Sequence, residues 1–467
     1  MHAIIKMAIT SRIELLELLR RHLIEVNRFM KVKKEVILLI SVLIMMGSFI
    51  FFGMTVWRGE QKAEEQRPIT LTIIHDNTTE AAERSAHSSV FRLMLDKYTS
   101  RHPGVIIEEI TLGNRELLEK YPVLIAADEL PDIVYIRYPW LSEMVEDDML
   151  ADLTDYIDPM KSRQYADGLY SAQYNGRYYG LSCNYNMYNV LCYNKSILEA
   201  EGYTMAPSSF EELLELGEKL RKKGIDMISF GNQDMWPAVS CLLSPFLYGY
   251  CGKEWVNDML DGRADWTDPG FLHALEALKQ ITPYINSDCN IRDDTWAAEW
   301  YIRGNTAAYI SGSWALNLLY SIQEVNQDVF DATRVDLFPP TIQGQRYGCF
   351  AVACGYGVNS RCKGKRFDAA LELCQQLCGL EYAYTMLGNS TPTQVRIPTS
   401  FPERGIQFSG LSRILYGDSI KVFDPYSYSQ RDIIMPLAKV VQGILESSMT
   451  PEDAVTYLIK SIPVEES

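Results

Sequence analysis

Five short segments of the chain place aromatic side chains next to polar side chains. They are His75-Asp76-Asn77, Arg137-Tyr138-Pro139-Trp140, Asn184-Tyr185-Asn186, Asn232-Gln233-Asp234-Met235-Trp236 and Gly312-Ser313-Trp314. A sugar presents flat C–H faces ringed by hydroxyl groups, so a site for it needs aromatic platforms together with bidentate polar groups. These segments therefore predict contacts to a carbohydrate ligand.

Residue patterns that support catalysis do not accompany these segments. The chain has no phosphate-binding loop, zinc-protease motif, nucleophile elbow or dinucleotide fingerprint, and its six histidines are scattered. Carboxylate pairs such as Glu108-Glu109 are common, but whether two of them face each other across a cleft is a tertiary property. We predict no catalytic residue and no cofactor. A carbohydrate-active enzyme is kept as a third hypothesis.

The ten cysteines contain no pair with the CxxC spacing of redox and zinc sites. Most of them lie in apolar runs such as residues 371–378, a pattern typical of a buried helix face. We therefore expect buried free thiols and no metal site.

The formal net charge of −16 is unevenly distributed along the chain. Residues 1–35 carry eight Lys/Arg against four Asp/Glu, and residues 36–57 carry no charge, so residues 58–467 hold all of the acidic excess. An acidic body of this kind repels phosphate backbones, and its basic residues form no stripe. The charge pattern excludes nucleic acid as a partner.

An uncharged apolar stretch decides the cellular compartment. Residues 36–57 form 22 consecutive residues without a charge, enough for one helix to cross a bilayer core of about 30 Å. Lys31, Lys33 and Lys34 precede this stretch, so the positive-inside rule predicts export of residues 58–467. We favour an uncleaved transmembrane anchor over a cleaved signal peptide, because no small-x-small site follows.

The residues before the apolar stretch allow two interpretations. Residues 11–29 have helical apolar spacing and could form a short cytoplasmic amphipathic helix. Alternatively, translation starts at Met30, because the basic segment that follows it resembles the start of an export signal. Both interpretations place residues 1–35 outside the exported domain, and residues 58–68 are predicted to be a polar tether.

The exported part alternates strand-like and helix-like runs, which predicts an α/β fold. The predicted elements are strands at Ile69–His75, Val105–Thr111, Asp132–Ile136 and Ile225–Phe230, and helices at Ser85–Arg101 and Asn114–Ala127. A further helix begins at a predicted capping box of Ser208 and Glu211 and ends at Gly224. About 400 residues without internal repeats exceed a single core, so two lobes are expected.

Nine short segments occur in an order that resembles one known family. They are Leu130–Val134, Leu150–Ile157, Gly176–Leu181, Leu191–Lys195, Gly202–Leu213, Arg303–Tyr309, Gly312–Ala315, Phe338–Pro340 and Gly355–Ser360. Together they resemble the bacterial extracellular solute-binding proteins of family 1, the maltose-binding-protein-like group. The resemblance covers nearly all of residues 69–467. The lipid-attachment cysteine common in Gram-positive members is missing here.

The resemblance implies a two-lobed periplasmic-binding-protein fold of type II, which closes over its ligand at a hinge. The first lobe is expected at 69–183 plus 338–386, and the second at 187–334 plus 390–467. The chain is expected to cross between the lobes near Ser182–Asn186, near Leu337–Pro340 and at Gly388.

The resemblance also implies which residues touch the ligand. The first lobe is expected to contribute Asp76, Asn77, Arg137 and Tyr138, and the second lobe Asp234, Trp236 and Trp314. Asn184 and Tyr356 complete the predicted ligand-binding set. Alternative roles are core packing for Trp140, helix capping for Asp234, and core or rim positions for Trp255, Trp266, Trp296 and Trp300.

The leading hypothesis is an extracytoplasmic receptor that captures a sugar or oligosaccharide for the permease subunits of an ABC transporter. We expect a monomer attached through its N-terminal helix to the outer face of the cytoplasmic membrane of a Gram-positive bacterium. The second hypothesis is a membrane-tethered sensor that passes the ligand state to a signalling partner.

Overall fold

The computed structural model describes residues 2–65, 68–161, 172–183, 185–341, 345–351, 355–389, 405–416 and 419–462. The chain forms two compact units, Met1–Pro68 and Ile69–Ser467.

The first unit contains a single long helix, α1, at His2–Glu65. Within it, Glu14–Phe52 is long and apolar enough to cross a membrane by length and composition, a criterion that a signal sequence also meets. The predicted tether is partly helical, because residues 58–65 continue α1 instead of forming irregular chain. The polar composition of those residues is compatible with a helix, since they contain one glycine and no proline.

The second unit alternates strands and helices, as the sequence predicts. Its strands are β1 Ile69–His75, β2 Val105–Thr111, β3 Ile133–Ile136, β4 Gln173–Tyr174, β5 Arg177–Tyr178, β6 Leu181–Ser182, β7 Asn186–Met187, β8 Val190–Asn194, β9 Asp226–Ser229, β10 Thr306–Ser311, β11 Thr333–Leu337, β12 Tyr347–Ala351, β13 Gly355–Val358 and β14 Ile420–Phe423. Its helices are α2 Thr79–Arg84, α3 Ala86–Arg101, α4 Asn114–Ala126, α5 Tyr138–Glu146, α6 Thr154–Lys161, α7 Lys195–Ala200, α8 Phe210–Arg221, α9 Ser244–Tyr250, α10 Gly252–Leu260, α11 Pro269–Ile281, α12 Asp294–Ile302, α13 Ala315–Ser321, α14 Gln327–Ala332, α15 Lys365–Cys378, α16 Leu380–Gly388, α17 Ile406–Tyr416, α18 Pro425–Tyr428, α19 Arg431–Leu445 and α20 Pro451–Ser461.

A five-stranded sheet organises the first core. Its order is β2-β1-β3-β13-β6, with β1 parallel to β2 and β3, and β13 antiparallel to β3 and β6. Helices α3 and α15 pack on this sheet and share one apolar cluster with it. Because β1 and β3 are neighbouring parallel strands, the loops that follow them lie at the same edge of the sheet.

Three smaller sheets complete the described part of the unit, and one of them is the two-stranded pair β4-β5. The four-stranded sheet has the order β11-β8-β10-β9, and the three-stranded sheet has the order β14-β12-β7. Their strands and surrounding helices fill two apolar clusters that we call the second core.

The chain passes between the first and second cores at positions that only partly match the sequence analysis. It leaves the first sheet at β6 and enters the second core at β7, as expected for Ser182–Asn186. The crossing expected at Leu337–Pro340 lies instead between β12 and β13, because β12 pairs with β7 and β14. Phe338 and Cys349, assigned to the first lobe, therefore pack in the second core. The other lobe boundaries stay predictions.

The predicted secondary-structure elements agree with the structure to within one or two residues. The helix start at α8 differs in its capping. Ser209, not Ser208, accepts the capping hydrogen bond, from the Glu212 amide, and the Glu212 carboxylate accepts from the amide and hydroxyl of Ser208. The pattern is thus shifted by one residue from the predicted box.

The described cysteines are free thiols, and all except the half-buried Cys251 are buried. Burial in apolar surroundings raises the pKa of Cys192 to about 12, so its thiol stays protonated and unreactive at neutral pH. The tenth cysteine, Cys354, lies outside the described residues.

Candidate ligand-binding site

Two predicted aromatic platforms come together in the second core. The Trp236 and Trp314 rings have centroids 5.8 Å apart, and both side chains are half-buried. Tyr188, which the sequence analysis did not select, contacts both rings edge to face, at 5.7 Å from Trp236 and 5.6 Å from Trp314. The three rings form an aromatic cluster of the kind that binds the C–H faces of a sugar.

The Asp294 carboxylate fixes the Trp314 ring. The indole Nε1–H of Trp314 donates to Asp294 at 2.7 Å, and the Tyr309 hydroxyl donates to the other carboxylate oxygen at 2.6 Å. Burial raises the pKa of Asp294 despite these two donors. The ring also lies over Gly312, where an added Cβ would be 2.0 Å from the ring atom Cζ3. Glycine at this position therefore lets the ring pack against the backbone.

The Asn232 side chain holds the loop that carries Asp234 and Trp236. Asn232 is fully buried; its Oδ1 accepts from the Ala238 amide at 2.9 Å, and its Nδ2 donates to Asn290 at 2.7 Å. Asp234 itself is half-buried on this loop. Asn232 thus fixes the start of the helical segment Ala238–Leu243, which leads into α9.

The loops after β1 and β3 meet as their sheet positions predict. Arg137 Nη2 lies 3.1 Å from Asp76 Oδ2, with both side chains less than one-fifth exposed. The Arg137 guanidinium also stacks over the Tyr135 ring at 5.1 Å from its centroid. The pair presents one charge of each sign at the carboxyl edge of the first sheet.

Two predicted ligand-binding residues are buried beneath this edge. Asn77 and Tyr356 have no exposed surface, and Asn77 Nδ2 donates to the Tyr356 hydroxyl at 3.2 Å. The Asn77 Oδ1 accepts from Ser88 at 3.1 Å. In this conformation both residues support the loop and present no surface to a solute. Asn184 lies outside the described residues.

Helix α18 connects the two sets of site residues. Tyr138 of the first sheet edge packs edge to face against Tyr428 of α18, with the centroids 5.6 Å apart. The hydroxyl oxygens of Ser427 and Tyr188 lie 3.4 Å apart. Tyr426 is buried close enough to Arg137 and Asp234 to interact electrostatically with both, and burial raises its pKa to about 12. Residues from both cores therefore surround one short helix.

The sequence analysis missed this helix although it carries the same signal as the five selected segments. Residues 424–428 read Asp-Pro-Tyr-Ser-Tyr directly after strand β14. A segment with two tyrosines next to a carboxylate and a hydroxyl at a strand end meets the criterion applied to the others. Tyr188 meets the same criterion, because Asn189 follows it directly. The role of Asp294 could not be predicted, because it depends on the contacts with Tyr309 and Trp314.

The two cores also approach each other at two further places. Helix α2, which follows the Asp76 loop, lies against α13, which follows Trp314, and α5 lies against α18 and α19. A groove of about 600 Å³ opens between α5 and the helices α19 and α20. It is lined by Ser142, Glu143, Gln430, Arg431, Asp432, Met435, Pro436 and Ser461, so it contains none of the predicted ligand-binding residues.

The remaining tryptophans occupy other positions. Trp140 is 2% exposed and packs against Tyr121 in the first core, and Trp255 and Trp266 are buried around Phe271. Trp296 and Trp300 stack on each other at the surface of α12, with a centroid distance of 5.3 Å. Trp140, Trp255 and Trp266 are therefore core residues, and Trp296 and Trp300 are surface residues.

Comparison with solved structures defines the class of this fold. The chain superposes with a TM-score of 0.74 on a protein from a study of xylan utilisation by Caldanaerobius polysaccharolyticus, at 20% identity, covering 85% of this chain and 100% of that one. A chitin oligosaccharide binding protein gives a TM-score of 0.75 at 19% identity, covering 84% and 98%. A maltose-bound T. maritima protein gives 0.67 at 18% identity, covering 84% and 99%. The predicted two-lobed binding-protein fold is thereby confirmed.

Sequence comparison gives the family. The family model described as bacterial extracellular solute-binding protein matches residues 94–394, and the chain belongs to this family. A curated relative, an uncharacterised ABC transporter extracellular-binding protein of Pyrococcus horikoshii, is 27% identical over 135 residues. That alignment covers 28% of this chain and 30% of the relative.

Proposed function

We propose that this protein captures a sugar or oligosaccharide between its two cores and delivers it to the permease subunits of an ABC importer. The observation that carries the proposal is the Trp236–Trp314–Tyr188 cluster, joined through α18 to Arg137 and Tyr138 of the first core. The similar solved structures include proteins whose titles name chitin oligosaccharide, maltose and raffinose.

The chemistry of the cluster supports a neutral polyhydroxylated ligand. The aromatic rings supply stacking faces, while Asp234, Asp76 and Arg137 supply acceptors and a fork of donors for hydroxyl pairs. Because Asp76 and Arg137 pair with each other, their two charges balance. The pair is available to exchange its mutual hydrogen bond for contacts with hydroxyl groups.

Closing over the ligand requires the two cores to move as bodies. Strands β6 and β13 belong to the first sheet and β7 and β12 to the second core, so we propose the hinge at the two passages that join β6 to β7 and β12 to β13. The closed form would be the one that the permease subunits recognise. Attachment to the membrane through α1 keeps the receptor close to the permease.

Titration calorimetry of the full chain in detergent against a panel of mono- and oligosaccharides tests the proposal. At least one sugar should give saturable heat. Replacement of one stacking ring, Trp314→Ala or Trp236→Ala, should weaken its binding by roughly 10- to 100-fold, since each ring contributes about 1–3 kcal/mol. The surface variant Trp300→Ala is the matched control and should bind as the parent does.

Two results would contradict the proposal. One is heat only with a peptide, a polyamine or a metal ion; the other is equal affinity of the Trp314→Ala, Trp236→Ala and Trp300→Ala variants. The genes next to this one separate import from the sensor hypothesis. A pair of permease genes supports import, and a histidine kinase gene without permease genes supports sensing.

A further inference from the structure

His75, the last residue of β1, is a buried histidine that none of the proposed ligand contacts uses. Its side chain has no exposed surface, and its ring packs against Phe91 with the centroids 4.5 Å apart. Both ring nitrogens have partners. Nδ1 lies 3.1 Å from the backbone nitrogen of Asn77, and Nε2 lies 2.8 Å from the Glu109 carboxylate. The imidazole therefore joins the loop after β1 to the neighbouring strand β2.

These partners fix the tautomer of the imidazole. A backbone N–H can only donate, so Nδ1 accepts from the Asn77 amide and carries no proton. Nε2 then carries the proton and donates a hydrogen bond to Glu109. This hydrogen bond and the charge of Arg92 lower the pKa of Glu109, so its carboxylate is ionised at neutral pH. His75 is thus held as a neutral ring whose one acceptor faces the loop.

The loop that His75 holds presents the Asp76 carboxylate between two fixed residues. On one side, His75 is the end of β1. On the other side, the Asn77 carbonyl accepts from Arg92 Nη2 at 2.6 Å, and the Asn77 side chain is buried and hydrogen-bonded. The Asp76 carboxylate lies beside Arg137 at the sheet edge. Its direction therefore follows from the backbone of residues 75–77, which the imidazole closes into a turn.

We propose that His75 is a positioning residue, whose Nδ1 acceptor holds the loop so that the Asp76 carboxylate faces the ligand. This role rests on the proposed function, because His75 has no exposed surface and acts on the ligand only through Asp76. The two ring nitrogens then have separate tasks. Nδ1 serves ligand binding, whereas Nε2 joins β1 to β2 through Glu109 and serves stability.

Two substitutions of His75 separate these tasks. In His75→Asn, the side-chain oxygen takes the place of Nδ1 and accepts from the Asn77 amide, as in an Asx-turn, while the bond to Glu109 is lost. In His75→Gln, the amide nitrogen takes the place of Nε2 and donates to Glu109, while the acceptor for Asn77 is lost. Titration calorimetry of the full chain in detergent should give an affinity for sugar close to that of the parent for His75→Asn. The affinity of His75→Gln should be roughly tenfold weaker.

Thermal unfolding of the same variants distinguishes positioning from support of the fold. His75→Asn removes more of the buried ring and also the bond to Glu109, so its Tm should fall further than that of His75→Gln. Affinity and Tm should therefore rank the two variants in opposite orders. The control is His102→Gln, because His102 lies directly after α3 and also pairs with a glutamate, Glu372 at 3.2 Å. This variant should bind sugar as the parent does.

A double-mutant cycle tests whether His75 acts through Asp76. Asp76→Ala should itself weaken binding, and adding His75→Gln should weaken it no further, because the positioned carboxylate is already absent. Additive losses, affinities that rank as the Tm values do, or equal affinity of His75→Gln and a sugar-binding parent would overturn the role of His75 alone. A parent chain that binds no sugar would instead refute the proposed function, and the role of His75 with it.

Discussion

The buried carboxylate of Asp424 makes a sharp test of how the structure supports the α18 segment. Asp424 has no exposed surface and caps α18. One oxygen accepts from the Ser240 hydroxyl at 3.0 Å and from the amide and hydroxyl of Ser427 at 3.0 and 2.6 Å. The other oxygen lies 3.3 Å from the Ser244 hydroxyl, which also donates to the Val239 carbonyl at 2.8 Å. Burial raises the pKa of Asp424 from 3.8 to about 6.

The substitution Asp424→Asn removes the ionisation and keeps the contacts. The amide oxygen can take the place of Oδ2 and accept the three hydrogen bonds from Ser240 and Ser427. The amide nitrogen can take the place of Oδ1 and donate to the Ser244 hydroxyl. Because the folded pKa is raised, the carboxyl contributes stability that is present below about pH 4 and is lost as the pH rises through about 6. A shift of about 2 pKa units corresponds to roughly 3 kcal/mol.

The expected result is a pH-dependent difference in thermal stability between the variant and the parent chain. For a unit of about 400 residues, an unfolding entropy of roughly 0.8 kcal/mol/K converts 3 kcal/mol into about 4 °C. The Tm of Asp424→Asn relative to the parent should therefore rise by about 4 °C between pH 4 and pH 7. Differential scanning calorimetry of the full chain in non-ionic detergent measures this difference.

The surface variant Asp258→Asn is the control, because it removes the same charge from an exposed side chain. Its Tm difference from the parent should change little over the same pH range. The Tm difference between Asp424→Asn and the parent could instead stay constant with pH or fall as the pH rises. Either result would show that burial does not raise the pKa of Asp424.

Two further substitutions test the site and the first core. Gly312→Ala should move the Trp314 ring, since the new Cβ would lie 2.0 Å from Cζ3. Sugar affinity should therefore fall about tenfold, and the tryptophan emission should change. Unchanged affinity would show that this ring does not contact the ligand. Asp132→Ala should lower the unfolding free energy by about 3 kcal/mol, because the Thr72 amide and the Arg366 guanidinium lose their acceptor. Denaturant titration measures that loss, and a change below about 1 kcal/mol would contradict it.

Local patterns in the sequence were sufficient for the secondary structure and for the family. Strands such as Ile69–His75 and helix stops such as Gly224 depend on neighbouring residues, and Gly224 has the left-handed φ of 74° that favours glycine at a helix end. The sequence also placed Asp76 and Arg137 each just after a strand. The sheet order then makes those two strands parallel neighbours, so the loops that follow them share one sheet edge and the two side chains meet.

The position of a side chain relative to solvent was decided only by tertiary structure. Asn77 has the residue type and loop position of a ligand contact, yet its amide group is buried and hydrogen-bonded to Tyr356 and Ser88. Conversely, Tyr188 contacts the Trp314 ring and Asp294 accepts its hydrogen bond only because the fold brings β7, α12 and the segment after β10 together. Sequence spacing records which residues lie near a strand end, but burial and long-range hydrogen bonds depend on what packs over that end.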